Sequence, residues 1–238
     1  MKNNLTAVIV AAGSGLRFKN KIPKPYLLLS GKPLLWYSLY SFQRSENVKK
    51  IFVVISEKDI MLAEKIKKKF FKNISKLENF IIGGNERQNS VFNALKVISK
   101  INSTDFAAIH DAARPFIRTA LIDEVFYNAV KYGGSAPAVP IIDTVKIIDK
   151  ENFITGHPLR ENLYAIQTPQ IFDFKKLYSA YNKSINNKRA FTDDAEVYGK
   201  YFKKIKLING DNELFKITYP KDLDIAKKII KKYKMLWK

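Results

Sequence analysis

The chain has 238 residues, of which 46% are hydrophobic and 13% aromatic, so it can bury a sizeable core and is not a disordered protein. It has no cysteine, which excludes disulfides and thiolate metal sites and agrees with the reducing conditions of the cytoplasm, where we expect the protein to act. No apolar run approaches the roughly 20 residues that span a bilayer, so we predict no membrane partner.

The charge is strongly positive, because 42 lysines and arginines against 22 acids give a net charge of +20. Such a charge is typical of nucleic-acid-binding proteins, which form the alternative class of function for this chain. Many of the lysines, however, alternate with Ile, Phe and Leu at helical or strand spacing. This pattern favours solvated faces, so we predict a general attraction for anionic substrates and no nucleic-acid partner. The runs with this pattern are 63–72, 200–206 and 226–238.

In chain order, short apolar runs rich in β-branched residues alternate with stretches whose apolar residues recur at helical spacing. This alternation predicts an α/β fold with a Rossmann-like, mostly parallel sheet that is covered by helices on both faces. The predicted strands are 5–10, 50–56, 79–83, 105–110 and 135–140, and the predicted helices are 33–44, 58–71, 86–100 and 119–132.

The pattern changes over residues 141–165, where 144–148 and 152–155 alternate around a polar turn. This predicts a β-hairpin that projects from the main sheet as an arm. Its apolar residues make it a candidate arm for a homodimer, and a hairpin folded back on its own domain is the alternative. We find no linker or repeat, so residues 1–238 are predicted to form a single domain. The remaining predicted elements are helices at 173–181, 193–201 and 219–234 and a strand at 206–208.

The segment after the first strand reads AAGSGLR over residues 11–17, with Lys24 shortly beyond it. Glycines after a strand expose backbone N–H groups, and such a concavity of amides binds phosphate. Arg17 and Lys24 add two cations, which suits a polyphosphate whose bond at phosphorus is broken. The dinucleotide fingerprint fails because Phe18 stands at its third glycine, and the Lys-Ser or Lys-Thr of a P-loop is missing. A plain strand-to-loop turn is the alternative.

A second glycine corner, GGNER at residues 83–87, opens the helix that carries Ser90. Glycines at a strand end, followed by a helix N-terminus, can accept an anion or the edge of a base. The alternative is an ordinary strand-to-helix turn.

The segment HDAARP at residues 110–115 is the more specific motif. Asp111 follows an apolar strand directly, where one carboxylate can hold Mg²⁺ or a ribose hydroxyl. Ala112 keeps the site open, and Arg114 can pair with a phosphate through its planar fork. A capping Asp with a surface Arg is the alternative. We interpret His110 as a packed core histidine, because no G-x-S-x-G serine motif accompanies it.

Four polar residues of the last third, Arg160, Thr168, Thr192 and Lys216, lie beside turn or strand signals. Thr192 is also a good helix N-cap, because acids follow it in the first turn. Lys216 has apolar neighbours, so it either snorkels from a strand or places its charge inward at a site.

The chain resembles the 2-C-methyl-D-erythritol 4-phosphate cytidylyltransferases, the nucleotidyltransferases of the non-mevalonate isoprenoid pathway. The resemblance covers residues 8–223 and lies in the ordered segments AAGSGLRF…PKPY, GGNERQNSVFNAL, HDAARPF, DTVK, QTPQ, TDDA and FKITYPKDL. It implies a nucleotidyltransferase domain that transfers CMP from CTP to the phosphate of methylerythritol phosphate and releases pyrophosphate. It also implies Mg²⁺ as cofactor, with CTP and a polyol phosphate as partners.

The resemblance also assigns roles to the candidate residues. Arg17 and Lys24 would stabilise the charge that develops on the α-phosphorus and on the leaving pyrophosphate. Arg160 and Lys216 would hold the attacking phosphate, which is already an anionic nucleophile and needs no general base. Asp111 would bind the metal together with the CTP phosphates. The implied substrate-binding residues are Ala11, Ala12, Gly13, Gly15, Arg87 and Ala112, with Gly84, Asn85 and Ser90 facing the cytosine and Asp111, Arg114, Thr168 and Thr192 lining the ribose and the acceptor.

Three residues depart from the family pattern: Pro25 stands where Gln is usual, Asn85 where Asp or Ser is usual, and Leu214 where Asn is usual. Lys24 nevertheless stays in register. The related ribitol 5-phosphate cytidylyltransferases share the glycine loop and QTPQ, so they are the alternative enzyme. The continuous HDAARP and GGNERQ segments favour the methylerythritol phosphate enzymes.

Overall fold

The structure is a computed structural model that describes residues 3–13, 18, 22–101, 104–184 and 191–233. The strands are β1 (Leu5–Val10), β2 (Leu28–Leu29), β3 (Lys32–Pro33), β4 (Val48–Ile55), β5 (Leu77–Ile82), β6 (Phe106–Asp111), β7 (Gly134–Pro140), β8 (Ile147–Ile148), β9 (Ile154–Gly156), β10 (Tyr164–Ile166), β11 (Gln170–Asp173) and β12 (Lys206–Asn209). The helices are α1 (Leu34–Arg44), α2 (Ile60–Phe70), α3 (Arg87–Ser99), α4 (Thr119–Tyr132), α5 (Phe174–Ser184), α6 (Asp194–Phe202) and α7 (Asp222–Lys232).

Among the described residues, eight strands form one central sheet, in the order β5-β4-β1-β6-β11-β7 with β10 and β12 also paired to β7. The strands β5, β4, β1 and β6 are parallel, whereas β11 runs antiparallel between β6 and β7. Ser135 of β7 pairs with Ile171 of β11 and with Lys206 of β12, so these two strands lie on opposite edges of β7. The mostly parallel sheet confirms the predicted α/β fold class.

The side chains of β1 alternate between two buried layers, as expected for a strand that is covered on both faces. Ala7 and Ile9 belong to the core cluster that includes residues of α1, α2, α4 and α7. Val8 belongs to the second cluster, which includes residues of α3, α5 and α6. Because both layers hold β1, its carboxyl end and the start of the glycine loop have a fixed place at the edge of the sheet.

The predicted helices and strands are all present, with ends that differ by at most three residues from the prediction. The sequence pattern did not predict four short strands. Two of them, β2 and β3, form a small hairpin before α1, and the other two, β10 and β11, flank the cis peptide bond between Thr168 and Pro169.

The arm leaves the main sheet after Pro140, which pairs with Tyr164 of β10. Next to this pair, the N–H of Ile141 donates to the carbonyl of Leu163 at 3.1 Å and closes the base of the arm. The hairpin itself consists of β8 and β9, which pair only with each other among the described residues. The arm therefore covers residues 141–163, slightly less than the predicted 141–165, because β10 returns to the sheet.

Within the part of the chain that the structure describes, no helix combines the length and the hydrophobicity that crossing a membrane requires.

Candidate active site

A cleft of about 660 Å³ lies at the carboxyl edge of the parallel strands, where open α/β sheets bind their ligands. The loops that follow β1, β5 and β6 all contribute to its lining. Eleven of the predicted site residues line it together: Ala11, Ala12, Gly13, Lys24, Gly84, Asn85, Arg87, Ser90, Asp111, Ala112 and Lys216. Two further predicted residues, Gly15 and Arg17, lie outside the described residues.

The corner after β5 contacts the loop after β1. A Cβ on Gly83 would lie 2.7 Å from the Cβ of Ala12 and 2.7 Å from Oγ of Ser90, so this contact requires glycine. The N–H of Gly84 donates to Oγ of Ser90 at 3.1 Å, and a Cβ on Gly84 would collide with Asn89. The two glycines therefore let this corner pack closely against the loop after β1, and they place Gly84 and Ser90 side by side at the cleft.

Asp111 is the centre of an ion-pair network. Its Oδ1 accepts a hydrogen bond from Nε of Arg87 at 3.1 Å, and its Oδ2 accepts one from Nζ of Lys216 at 2.7 Å. Arg87 also donates from Nη2 to Oδ2 of Asp194 at 2.7 Å. The hydroxyl of Tyr181 donates to Oδ1 of Asp194 at 2.6 Å. Charges of alternating sign therefore run from Lys216 in the cleft to Asp194 in the core.

The network fixes the charge state of its members. Burial alone would raise the pKa of Asp111, but Arg87, Lys216 and Arg114 hold it well below its usual range. Burial would lower the pKa of Arg87, but Asp194 and Asp111 raise it well above its ordinary value. Asp111 is therefore an ionised carboxylate and Arg87 a cation over the whole physiological pH range.

The predicted lysines Lys24 and Lys216 reach the cleft from segments that are far apart in the chain. Lys24 lies in a short 3₁₀ turn, and its Nζ donates to the carbonyl of Ile217 at 2.8 Å. The N–H of Ile217 in turn donates to the carbonyl of Ala113 at 2.9 Å, which anchors the segment around Lys216 to the loop after β6. The backbone thus places two ammonium groups beside the glycine corners.

Arg114 does not line the cleft in the described structure, although it was predicted to contact substrate. Its Nη1 donates to the carbonyl of Leu214 at 2.8 Å and its Nη2 donates to the carbonyl of Ile166 at 3.4 Å. Burial lowers the pKa of Arg114, against the opposing effect of Asp111. The guanidinium therefore supports the backbone next to Lys216, and its predicted contact with substrate stays a prediction. Because a backbone carbonyl makes the contact, the departure at Leu214 does not remove it.

Thr168 lies behind Asp111 and is buried. Its Oγ1 accepts from the N–H of Asp111 at 3.1 Å and lies 3.1 Å from Nδ1 of His110. Nε2 of His110 lies 3.1 Å from the carbonyl of Arg114. Because a carbonyl can only accept, Nε2 carries the ring proton and Nδ1 accepts from the Thr168 hydroxyl. His110 is a packed histidine, as predicted, and with Thr168 it fixes the backbone of Asp111.

We expect this buried histidine to make the protein sensitive to acid. Burial lowers the pKa of His110 from 6.5 to about 4. Between these values the unfolded state binds the proton more readily than the folded state, so the free energy of unfolding falls as the pH falls, by up to about 3 kcal/mol. Asp111 has a depressed pKa and loses its contribution only at lower pH, below its ordinary value of 3.8.

Urea titrations of the wild type and of His110→Gln at pH 7, 5.5 and 4.5 test this expectation. The variant lacks the titrating group, so its free energy of unfolding should fall less over this range, whatever its stability at pH 7. Equal pH slopes for the two proteins would contradict the assignment.

The other two predicted residues that do not line the cleft lie on the outside of the described structure. Arg160 belongs to the arm, and its Nη1 donates to the carbonyl of Ile142 at 3.0 Å. Thr192 precedes α6, and its N–H and hydroxyl both donate to Oε2 of Glu196 at 2.9 Å. Asp193, rather than Thr192, caps the helix. The roles predicted for Arg160 and Thr192 stay predictions.

Several residues that line the cleft were not among the predicted site residues. Ser56 and Lys58 follow β4 directly, and the rule that ligands bind beyond the carboxyl ends of parallel strands could have found them. The other unpredicted lining residues are Pro25, Glu86, Ala113 and Thr218, with Val10 at the end of β1. Asp194 does not line the cleft but pairs with Arg87, which does; it is buried at the first position of α6, and no local signal distinguishes it from an ordinary first-turn acid.

Similar proteins are known. A 2-C-methyl-D-erythritol 4-phosphate cytidylyltransferase of Clostridium kluyveri is 40% identical over 237 residues, which cover 99% of this chain and all of that protein. The protein of the same name from Caldanaerobacter subterraneus is 39% identical over 230 residues, which cover 96% of this chain and all of that protein. The crystal structure of 4-diphosphocytidyl-2C-methyl-D-erythritol synthase from Anaerococcus prevotii has a TM-score of 0.83 at 29% identity, with 97% of each chain covered.

The fold and the cleft, together with these neighbours, define the protein as a nucleotidyltransferase. Residues 5–232 match the sequence profile of 2-C-methyl-D-erythritol 4-phosphate cytidylyltransferase, and the chain belongs to this family. The family activity is CTP-dependent cytidylyl transfer to 2-C-methyl-D-erythritol 4-phosphate in isoprenoid biosynthesis, which confirms the reaction predicted from the sequence. The match also decides against the ribitol 5-phosphate enzymes as the family of this chain.

Proposed function

We propose that the cleft carries out this cytidylyl transfer by direct, in-line displacement, without a general base. A phosphate oxygen of methylerythritol phosphate attacks the α-phosphorus of CTP, the bond from that phosphorus to the bridging oxygen breaks, and pyrophosphate leaves with the bonding electrons. The observation that carries the proposal is the convergence of Lys24, Lys216 and Asp111 on one cleft with two glycine corners. Such a site aligns and stabilises charged phosphates, which is most of what phosphoryl transfer requires.

The glycine corners suit the nucleotide. Nothing lies within 4 Å of a Cβ built on Gly13, so the backbone there has room for the close approach of a triphosphate. Gly84 and Ser90, already joined by a hydrogen bond, offer polar atoms to the edge of the cytosine. Asn85 in the same corner presents an amide, which can both donate to and accept from a base.

Lys216 changes partner in the proposed reaction. Its Nζ is held by the Asp111 carboxylate at 2.7 Å, while its side chain is still 42% exposed at the cleft. An incoming phosphate with two negative charges competes for the ammonium group, and Arg87 keeps Asp111 paired when Lys216 moves. Lys24 donates to the carbonyl of Ile217, the residue after Lys216, and would stabilise the charge on the triphosphate.

The cleft also fits a Mg²⁺ ion that is held chiefly by substrate. In phosphate sites this ion typically takes one or two carboxylates, with phosphate oxygens and water as its other ligands. Asp111 is an ionised carboxylate at the cleft and would supply the protein ligand. No group of three or more His, Asp or Glu residues that could hold a metal occurs within the described ranges, so the phosphates would supply further ligands. When bound, the ion would neutralise phosphate charge.

We further propose a homodimer formed through the arm. Large apolar side chains of the arm are exposed, and the most exposed of them are Ile142 at 78%, Phe153 at 71%, Leu159 at 67% and Ile154 at 58%. Large apolar side chains exposed in this number on one element favour a site of protein association. Arg160 lies on the same arm and outside its own cleft, so its predicted contact with the acceptor phosphate requires that the arm reach the cleft of a second copy.

The partners proposed are therefore CTP, a polyol phosphate and a second copy of the chain, with no nucleic acid. A cytoplasmic location is proposed with them, since CTP is a cytoplasmic metabolite.

Pyrophosphate release with CTP and Mg²⁺ tests the function directly, with methylerythritol 4-phosphate and ribitol 5-phosphate offered in separate reactions. We expect turnover with the first acceptor and little with the second. Absence of turnover with methylerythritol 4-phosphate would remove the proposal.

A further inference from the structure

Asp194 is a fully buried carboxylate whose presence no substrate contact explains. Its two oxygens accept hydrogen bonds from the hydroxyl of Tyr181 at 2.6 Å and from Nη2 of Arg87 at 2.7 Å. Helix capping does not explain it either, because the neighbouring Asp193 accepts the capping bond from the N–H of Glu196. A buried carboxylate is costly unless it is paired, so its place in the fold calls for a specific reason.

Arg87 supplies that reason, because it joins two carboxylates with two different N–H groups. Its Nε donates to Asp111 in the cleft at 3.1 Å, and its Nη2 donates to Asp194 in the core. The guanidinium is planar and rigid, so two fixed acceptors determine its orientation. The direction in which Nε points toward Asp111 is therefore set by Asp194, which lies 107 residues away in the chain.

We infer that Asp194 is a positioning residue for the cytidylyl transfer. It acts through Arg87 to hold one oxygen of Asp111, which leaves the other oxygen for Lys216 or, after Lys216 has moved, for substrate. This inference rests on the proposed function of the cleft. Tyr181 helps to orient Asp194, because its hydroxyl donates to Oδ1 and leaves Oδ2 to Arg87.

Loss of the charge at Asp194 would weaken the ion pair that holds Nη2 of Arg87. Arg87 could then turn two of its N–H groups toward Asp111, as bidentate arginine–carboxylate pairs do, and take the oxygen that now faces Lys216. The cleft would keep its glycine corners and its lysines but lose the orientation of its one ionised aspartate. A shift of this kind is expected to affect the rate of transfer.

Asp194→Asn tests the inference, and Asp193→Asn is its matched control. Both variants make the same chemical change at adjacent positions, and asparagine caps a helix as well as aspartate does. A displacement of about 1 Å in a reacting site can cost up to roughly 100-fold in rate, so we expect Asp194→Asn to lower kcat by about 10-fold or more. Asp193→Asn should stay within about twofold of the wild type, because Asp193 touches neither Arg87 nor Asp111.

A second set of variants separates positioning from mere stability. In an Arg87→Met background the link to Asp111 is already lost, so Asp194→Asn should lower kcat no further. A residue that only stabilises the fold would lower activity by a similar factor in both backgrounds. If Asp194→Asn does not fold, Tyr181→Phe keeps every charge and removes only the hydroxyl, and we expect it to lower kcat by about threefold.

The outcomes are distinct from those of the proposed function. An inactive wild-type protein would remove the proposed function itself. If the wild type is active but Asp194→Asn and Asp193→Asn have equal kcat, the inference alone is overturned. It is also overturned if Asp194→Asn lowers kcat by the same factor in the Arg87→Met background as in the wild type. Where Asp194→Asn does not fold, an unchanged kcat in Tyr181→Phe would overturn it.

Discussion

Lys24→Met should lower kcat by about 100-fold or more, while the protein stays folded. The ammonium group lies at the cleft next to the glycine corners, where the triphosphate would bind and where charge develops as pyrophosphate leaves. Loss of one preorganised donor at such a position typically costs about 3 kcal/mol of transition-state stabilisation, which corresponds to this factor. The measurement is steady-state pyrophosphate release with CTP and methylerythritol 4-phosphate at saturation.

Lys65→Met is the control for this substitution, because it makes the same change of charge on an exposed face of α2. Thermal unfolding of both variants is needed as well, since Lys24 also donates to the carbonyl of Ile217 and its loss removes that bond. If Lys24→Met turned over within threefold of Lys65→Met, the catalytic role assigned to Lys24 would be wrong.

The part of the site that could be predicted from the sequence consists of residues at the ends of strands or shortly after them. Gly13, Gly84 and Asp111 come after apolar runs, and the carboxyl ends of parallel strands meet at one edge of the sheet. Their convergence therefore follows from the alternation of predicted strands and helices and from the α/β fold class that it indicates. The same argument places Lys24 only roughly, because its position depends on the contact with Ile217, which is 193 residues away.

The part that could not be predicted depends on which polar atoms the backbone itself uses. The predicted substrate contacts of Arg114 and Thr168 stay predictions, but nothing in the sequence indicated that their side chains also bind the carbonyl of Leu214 and the N–H of Asp111. A motif gives the same letters for a residue that touches a ligand and for one that supports the loop. Asp194 shows the opposite case. In the sequence it looks like an ordinary acid in the first turn of a helix, but in the structure it forms a buried ion pair with Arg87.

The strands missed in the fold have a similar cause. The strand β11, Gln170–Asp173, has only four residues and runs antiparallel between β6 and β7. Its two central side chains, Ile171 and Phe172, are buried on opposite faces of the sheet, so its local pattern is too short to show a period. Its place is determined by its neighbours in the sheet and by no signal of its own.

Arg160→Met and Lys216→Met should each lower kcat/KM for methylerythritol 4-phosphate by about 100-fold, yet their mixture should recover activity. In the proposed homodimer, Arg160 on the arm of one copy serves the cleft of the other. A mixed dimer then holds one complete site, in which the arm of the Lys216→Met copy meets the cleft of the Arg160→Met copy. Random pairing would restore about a quarter of wild-type activity, because half of the dimers are mixed and each has one working cleft.

The two variants are co-expressed with different tags, and the mixed dimer is purified through both. Because every purified dimer then has one complete cleft of two, it should have about half of the wild-type activity. Lys24→Met paired with Lys216→Met is the matched control, because both changes lie in the cleft and neither arrangement of the arm can rebuild a complete site. If Arg160 instead folded back to its own cleft, the mixed dimer of Arg160→Met and Lys216→Met would be as inactive as this control. Recovery in the mixed dimer of Arg160→Met and Lys216→Met, but not in the control, would therefore require a site made by two copies of the chain. Such a site would also explain why, among the contacts described, Arg160 donates only to the carbonyl of Ile142 on its own arm.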